Sequence, residues 1–166
     1  MSDRVWEMSI EQRESLIKAA FEAKQQTYSP YSKFPVGAAL MAADGRIFKG
    51  ANIENASYGG TICAERTAIV KAVSEGTRSF VALAVVTDVP STISPCGMCR
   101  QVIREFCAQD MPILLIPGDY PKPPGHDSEG KPGIIAGGIK ETSIGELLPD
   151  SFGPEHLDLP RTGGGK

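Results

Sequence analysis

Apolar residues along this chain alternate between helical spacing and short unbroken runs. Leu16 and Ala20, like Ile17 and Phe21, are four apart, so each pair shares one face of a helix. Ser9 stands three residues before Gln12, which is a capping-box spacing. A first amphipathic helix is therefore predicted over residues 10–26, stopping in the turn-rich stretch Tyr28-Ser29-Pro30-Tyr31-Ser32. The apolar runs at 36–41 and 47–48 flank Asp44-Gly45, a turn signal, and predict a β-hairpin. Residues 52–60 are polar and glycine-bearing and predict a loop. A second helix is expected to start near 61–63 and run to Glu75, with Gly76 just past its end. The stretch F-V-A-L-A-V-V-T at 80–87 is uncharged and β-branched and predicts a buried strand.

Ser94-Pro95 is an N-cap followed by proline, a helix start. That helix would carry Cys96, Cys99, Val102, Ile103 and Phe106. Strands are expected at 112–116 and 133–136. A further capping box at 143–146 opens a short helix that ends at Pro149. Residues 117–132 are rich in proline and glycine and read as an exposed loop with no core role. The order α-β-β-α-β-α-β-β-α predicts an α/β domain with helices on both faces of a five-stranded sheet. At 166 residues the chain suits one domain. It would span 1–156, with 157–166 as a disordered tail.

Composition narrows the partners. Hydrophobic residues make up 41% and charged residues 22%, which is ordinary globular usage. The net charge is −3, with no basic block, so a polynucleotide partner is disfavoured. No apolar run reaches the roughly 18 residues that would span a bilayer. The start M-S-D-R-V-W-E-M has no secretory pattern. The expectation is a cytoplasmic protein whose thiols stay reduced, so its four cysteines are metal ligands or core residues rather than disulfides.

Three of those thiols form a pattern. Cys96 and Cys99 are three apart near a helix start and share a face. Cys63 falls at another helix start, and helix N-termini favour thiolate, the form that binds zinc. Cys107 would be about 12 Å beyond Cys99 along the helix, too far to join, and reads as core. His126 and His156 have no partner at ligand spacing. Three ligands leave an open fourth position, as in catalytic rather than structural zinc sites. Glu65, two residues from Cys63, can take a proton from a water held there. A lone C-x-x-C is equally compatible with a structural half-site or a redox pair, and a first-turn glutamate often only complements the helix dipole. The combination C-A-E then P-C-G-M-C predicts hydrolytic attack on an electrophilic carbon.

The same residues resemble the zinc deaminases, whose signature is H-x-E followed by P-C-x-x-C, with Cys63 in place of the histidine. Y-S-P-Y-S-K-F-P-V-G-A-A-L, F-K-G-A-N-I-E-N-A-S-Y, I-C-A-E-R-T-A-I, I-S-P-C-G-M-C-R-Q-V-I-R-E-F and E-L-L-P-D-S-F-G-P-E are similar to the homotetrameric cytidine deaminases of free-nucleoside salvage. The resemblance implies a three-layer α/β/α sandwich with a mixed sheet, one Zn2+ per subunit on Cys63, Cys96 and Cys99, and a homotetramer with shared active sites. It implies that Glu65 carries protons to N3 of the pyrimidine and then to the departing amine. Asn52 and Glu54 would bind ribose hydroxyls, and Phe34 would pack on the base. Phe152 would do so from a neighbouring subunit. Ala56 and Tyr58 would line the site edges, and Arg66 would donate to a ligand sulfur. The substrates would be cytidine and 2′-deoxycytidine. Gly59-Gly60 and the length of the 117–132 loop depart from the family pattern. The alternatives are a deaminase of a nucleoside-like antibiotic of the blasticidin S type, and a non-catalytic zinc-binding module.

Overall fold

Ser9 and Gln12 form the expected reciprocal capping box, and helix α1 (Ile10–Lys24) starts on it. The computed structural model describes residues 8–126 and 129–162. The N-terminal stretch 1–7 and residues 163–166 of the expected tail lie outside them. After α1 come β1 (Val36–Ala42), β2 (Ile47–Ala51), α2 (Ala64–Ser74), β3 (Phe80–Thr87) and α3 (Gly97–Phe106). Then follow β4 (Ile113–Ile116), β5 (Ile134–Ile135), β6 (Ile139–Thr142), α4 (Ile144–Leu147) and α5 (Pro154–Leu157). The strands make one sheet in the order β2-β1-β3-β4-β6-β5. Only β3 and β4 pair in parallel, so the sheet is mixed as expected.

Among the described residues the sheet has six strands rather than five. The strand expected at 133–136 is a two-residue edge piece, β5. The one that pairs with β4 is β6, reached through Gly137 and Gly138, both with positive φ. In β6 only the end residues Ile139 and Thr142 are buried, so no apolar run or clean alternation announces it. Helix α5 has four residues and none is buried, too short for a periodic signal.

Alternation along the central strands builds two cores. Ala38, Leu40, Leu83, Val85, Ile113 and Leu115 pack with Ala68 and Ile69 of α2 and Ile103 of α3. Ala39, Met41, Ala82, Ala84, Leu114 and Ile116 pack with Leu16, Ile17 and Ala20 of α1. This is the three-layer α/β/α arrangement. Tyr120 packs against the α1-side core and approaches Phe21 at 6.4 Å between ring centroids. The 117–132 segment thus does have a core role, because Gly137 leaves room for that ring.

Cys107 is in the other core at 7% exposure, and burial pushes its thiol up to about 12. It should resist alkylation at pH 8 in the native protein and react only after unfolding, which mass spectrometry would show.

Gly50 lets α2 lie directly on the sheet. A Cβ there would stand 2.3 Å from the Ala64 carbonyl and 2.4 Å from the Ala68 nitrogen. Gly50→Ala should therefore destabilise the fold by about 1–3 kcal/mol, read as a lower urea midpoint.

Candidate active site

Two helices begin beside one another. Cys63 is the N-cap of α2 and Cys96 the N-cap of α3, both with extended backbone, and neither side chain caps its own helix. Their carbonyls accept the first helical hydrogen bonds, from Thr67 at 3.0 Å and Arg100 at 2.9 Å. The start predicted at Ser94-Pro95 is therefore two residues early. Arg100 accounts for the difference. It donates to the Pro95 carbonyl at 2.8 Å, to Ser94 Oγ at 2.9 Å and, further off, to the Leu147 carbonyl at 2.7 Å. The groups that would have opened the helix are held by a side chain from inside it.

Cys99 lies in the first turn of α3 and is fully buried, whereas Cys96 is exposed and Cys63 half-buried. The three Sγ atoms lie within 4.8 Å of one another, and those of Cys63 and Cys96 are 3.7 Å apart. Two sulfurs on a tetrahedral zinc, each about 2.3 Å from the metal, would be about 3.8 Å apart. The donor set thus fits zinc in chemistry and spacing. It is the one group among the described residues placed to hold a metal ion, and it supplies three ligands.

Glu65 is 4% exposed, and its Oε2 accepts from the Cys99 thiol at 3.6 Å. Burial raises its proton affinity and Cys63 adds to the effect, while its own backbone amide, Cys99 and Arg66 oppose it. Cys63 is lowered to about 5, first by the hydrogen bond from Cys99 and then by Arg66 and Cys96, against burial. Cys99 is raised in turn, first by its interaction with Cys63, then by burial and the neighbouring Glu65. Arg66 Nη2 is 4.0 Å from Cys63 Sγ and donates to the Thr61 carbonyl at 3.3 Å.

The loop at 52–60 is tied down. Ile53 bridges Tyr28 on one side and Ile62 on the other. This sets Glu54 against the Tyr31 and Ser32 amides, which donate to its Oε2 at 2.9 and 3.2 Å. A side-chain hydrogen bond from Ser32, with those amides and Lys33, holds the Glu54 carboxyl below its usual range. Asn52 is buried and largely engaged. Its Oδ1 accepts from the Val36 N–H at 2.8 Å and from the Thr27 hydroxyl, and its Nδ2 donates to the Phe34 carbonyl at 2.9 Å. One Nδ2 hydrogen remains for a ligand, so Asn52 is first of all the anchor of the Phe34 turn.

Glu54 and Tyr58 line a cavity of about 300 Å3 together with Tyr31, Ser32 and Thr61. The Tyr31 and Tyr58 rings approach at 5.4 Å and 57°. Thr61 joins this cavity to the sulfurs through Arg66. A larger cavity, of about 680 Å3, lies by β6 and α4 and includes Asp110, Glu141 and Glu146; neither cavity is lined by a cysteine or histidine. Ala56 is exposed in the loop. Phe34, Phe152 and Tyr58 are 36%, 60% and 72% exposed. Phe152 is outside the cavity wall, its carbonyl held by Gln101 Nε2 at 3.2 Å.

The sequence reading omitted Tyr31, Ser32 and Thr61 as walls, Thr27 behind Asn52, and Arg100. Tyr31 and Ser32 stand in an aromatic-proline turn that could have flagged them. Thr27 and Arg100 act on groups 25 and 47 residues away, and no local pattern shows that.

Residues 10–115 match the family model described as the cytidine and deoxycytidylate deaminase zinc-binding region. A cytidine deaminase of Sporosarcina psychrophila is 51% identical over 144 residues, covering 87% of this chain and 93% of that one. Another, of Halalkalibacterium halodurans, is 47% identical over 146 residues, covering 88% and 98%. The crystal structure of cytidine deaminase from Burkholderia pseudomallei matches with a TM-score of 0.69 at 41% identity, over 87% of this chain and all of that one. The family match runs from the first residue of α1 into β4, and the identities hold over nearly whole chains: this protein belongs to the cytidine and deoxycytidylate deaminase family.

Proposed function

We propose that the protein deaminates cytidine and 2′-deoxycytidine to uridine and 2′-deoxyuridine, with release of ammonia. The observation that carries this is the buried Glu65 carboxyl, which accepts at 3.6 Å from Cys99, one of three clustered cysteine sulfurs, inside the family's zinc-binding region. Cys63, Cys96 and Cys99 would hold a zinc ion, which would supply a Lewis acid and make water a nucleophile near neutral pH. Glu65 receives a proton from that water, and its burial favours keeping it. It passes the proton to N3 of the pyrimidine and serves the departing amine in the same way. Across the reaction a C4–O bond forms and the C4–N bond breaks, so cytidine and water balance uridine and ammonia.

Arg66 offsets the negative charge that three thiolates gather, which would otherwise weaken the metal's pull on its ligands. Glu54, kept ionised by the Tyr31–Ser32 turn, accepts from ribose hydroxyls, and the remaining N–H of Asn52 donates to one. Phe34 packs on the base, with Ala56 and Tyr58 at the rim. The site is open on the side where these aromatics are exposed. That openness supports a homotetramer in which Phe152 of one subunit packs on the base bound by another. The relatives are cytidine deaminases over most of both chains, which favours the free nucleoside over a nucleoside-like antibiotic. No helix of the described residues is long and apolar enough to cross a membrane. A cytoplasmic setting, in pyrimidine salvage, suits zinc ligands that must stay reduced.

Glu65→Gln should keep the fold and the zinc content while lowering kcat by about 10^2–10^4, measured by the ultraviolet change as cytidine is consumed. Retained turnover with zinc bound would reject the role of this carboxylate. Cys96→Ala should lose zinc and melt at a lower temperature than the parent, because the two helix starts lose their common anchor. Metal analysis and a thermal scan of the same sample would read both.

A further inference from the structure

Arg104 is 6% exposed, a buried charge. Its Nη2 donates to Glu155 Oε1, and its Nε is buried without a partner. Two neighbours on α3 reach the same stretch of chain. Arg100 donates to the Leu147 carbonyl at 2.7 Å and Gln101 to the Phe152 carbonyl at 3.2 Å. Residues 100, 101 and 104 thus grip the 147–155 segment at three points, and Phe152 stands among them, 60% exposed.

Glycine at 153 makes the grip possible. A Cβ there would come within 2.3 Å of Arg104 Nη1, so the missing side chain lets the guanidinium pass close under the backbone. His156 Nδ1 accepts the Gly153 N–H at 3.0 Å and closes the turn from the other side. The segment so held gives little to the core. None of the residues of α5 is buried, and Leu157 is 65% exposed. Desolvation of a buried guanidinium offsets much of its attraction to a carboxylate. What the pair delivers is a fixed position.

We propose that the Arg104–Glu155 pair is a positioning device for the deamination: it sets the reach and angle of Phe152 so that the ring closes over the pyrimidine. Arg104 and Glu155 act through Phe152 and touch no reacting atom. The proposal rests on the reading that Phe152 packs on the base. Because α3 also opens with Cys96 and Cys99, one helix carries both two metal ligands and the mount of this aromatic.

The test is a double-mutant cycle on the zinc-loaded, full-length enzyme with cytidine, using Glu155→Gln, Phe152→Ala and the pair. Glu155→Gln should raise KM about three- to tenfold, the scale of coupling between neighbours in one network, with kcat and zinc content nearly unchanged. In the Phe152→Ala background the same change should have no further effect on KM. Gly153→Ala keeps both charges but displaces the guanidinium, and it should reproduce the rise. Additive effects, or a Glu155→Gln enzyme that melts earlier at parental KM, would overturn the positioning role while leaving the Phe152 reading intact. A Phe152→Ala enzyme of parental KM would overturn that reading, and this proposal with it.

Discussion

Two helix N-termini converge on one spot, and the chemistry depends on that convergence. Cys63 and Cys96 are 33 residues apart in sequence and 3.7 Å apart at their sulfurs. What brings them together is the layer on which α2 and α3 lie. Both pack on one face of the sheet, on alternate residues of β1, β3 and β4. Gly50 lets α2 settle against β2 at backbone distance. The free N–H groups and the partial positive charge at both helix starts then meet sulfur rather than a capping side chain.

Grouping thiolates beside a carboxylate has an electrostatic consequence. Like charges oppose one another, and burial opposes each of them. The site resolves the conflict by separating roles. Cys63 is shifted towards the thiolate, by Cys99 first and by Arg66 beside it. Glu65, enclosed by the core, is biased towards holding a proton. Perturbation of neighbouring groups in opposite directions is the usual mark of an acid–base site.

The turns that carry the exposed phenylalanines are built differently, fastened at a distance. Asn52 secures the Phe34 turn through three side-chain hydrogen bonds, and Arg100, Gln101 and Arg104 secure the stretch bearing Phe152. Among the described residues the two non-glycine positions with positive φ are Lys33, at 57°, and Asp150, at 56°. They stand one and two residues before those phenylalanines. Left-handed backbone at ordinary residues persists only where its surroundings enforce it, and it gathers at functional sites. Both exposed aromatics are thus presented by constrained backbone.

The sequence by itself determined the elements with strong local signals. The capping box at Ser9, the uncharged run at 80–87 and the C-A-E and P-C-G-M-C spacings all state their chemistry within a few residues. Periodicity, capping and ligand spacing are local properties, so they survive in a one-dimensional reading. Tertiary structure decided what depends on distant partners. It made β6 a strand by pairing it to β4, moved the start of α3 to Cys96 through Arg100, and drew Tyr120 from a loop into a core. It also turned Asn52 from a loop amide into a buried anchor and set Arg104 beneath Gly153. Each of these outcomes is fixed by contacts between residues far apart in the chain, whose free energy no local pattern encodes.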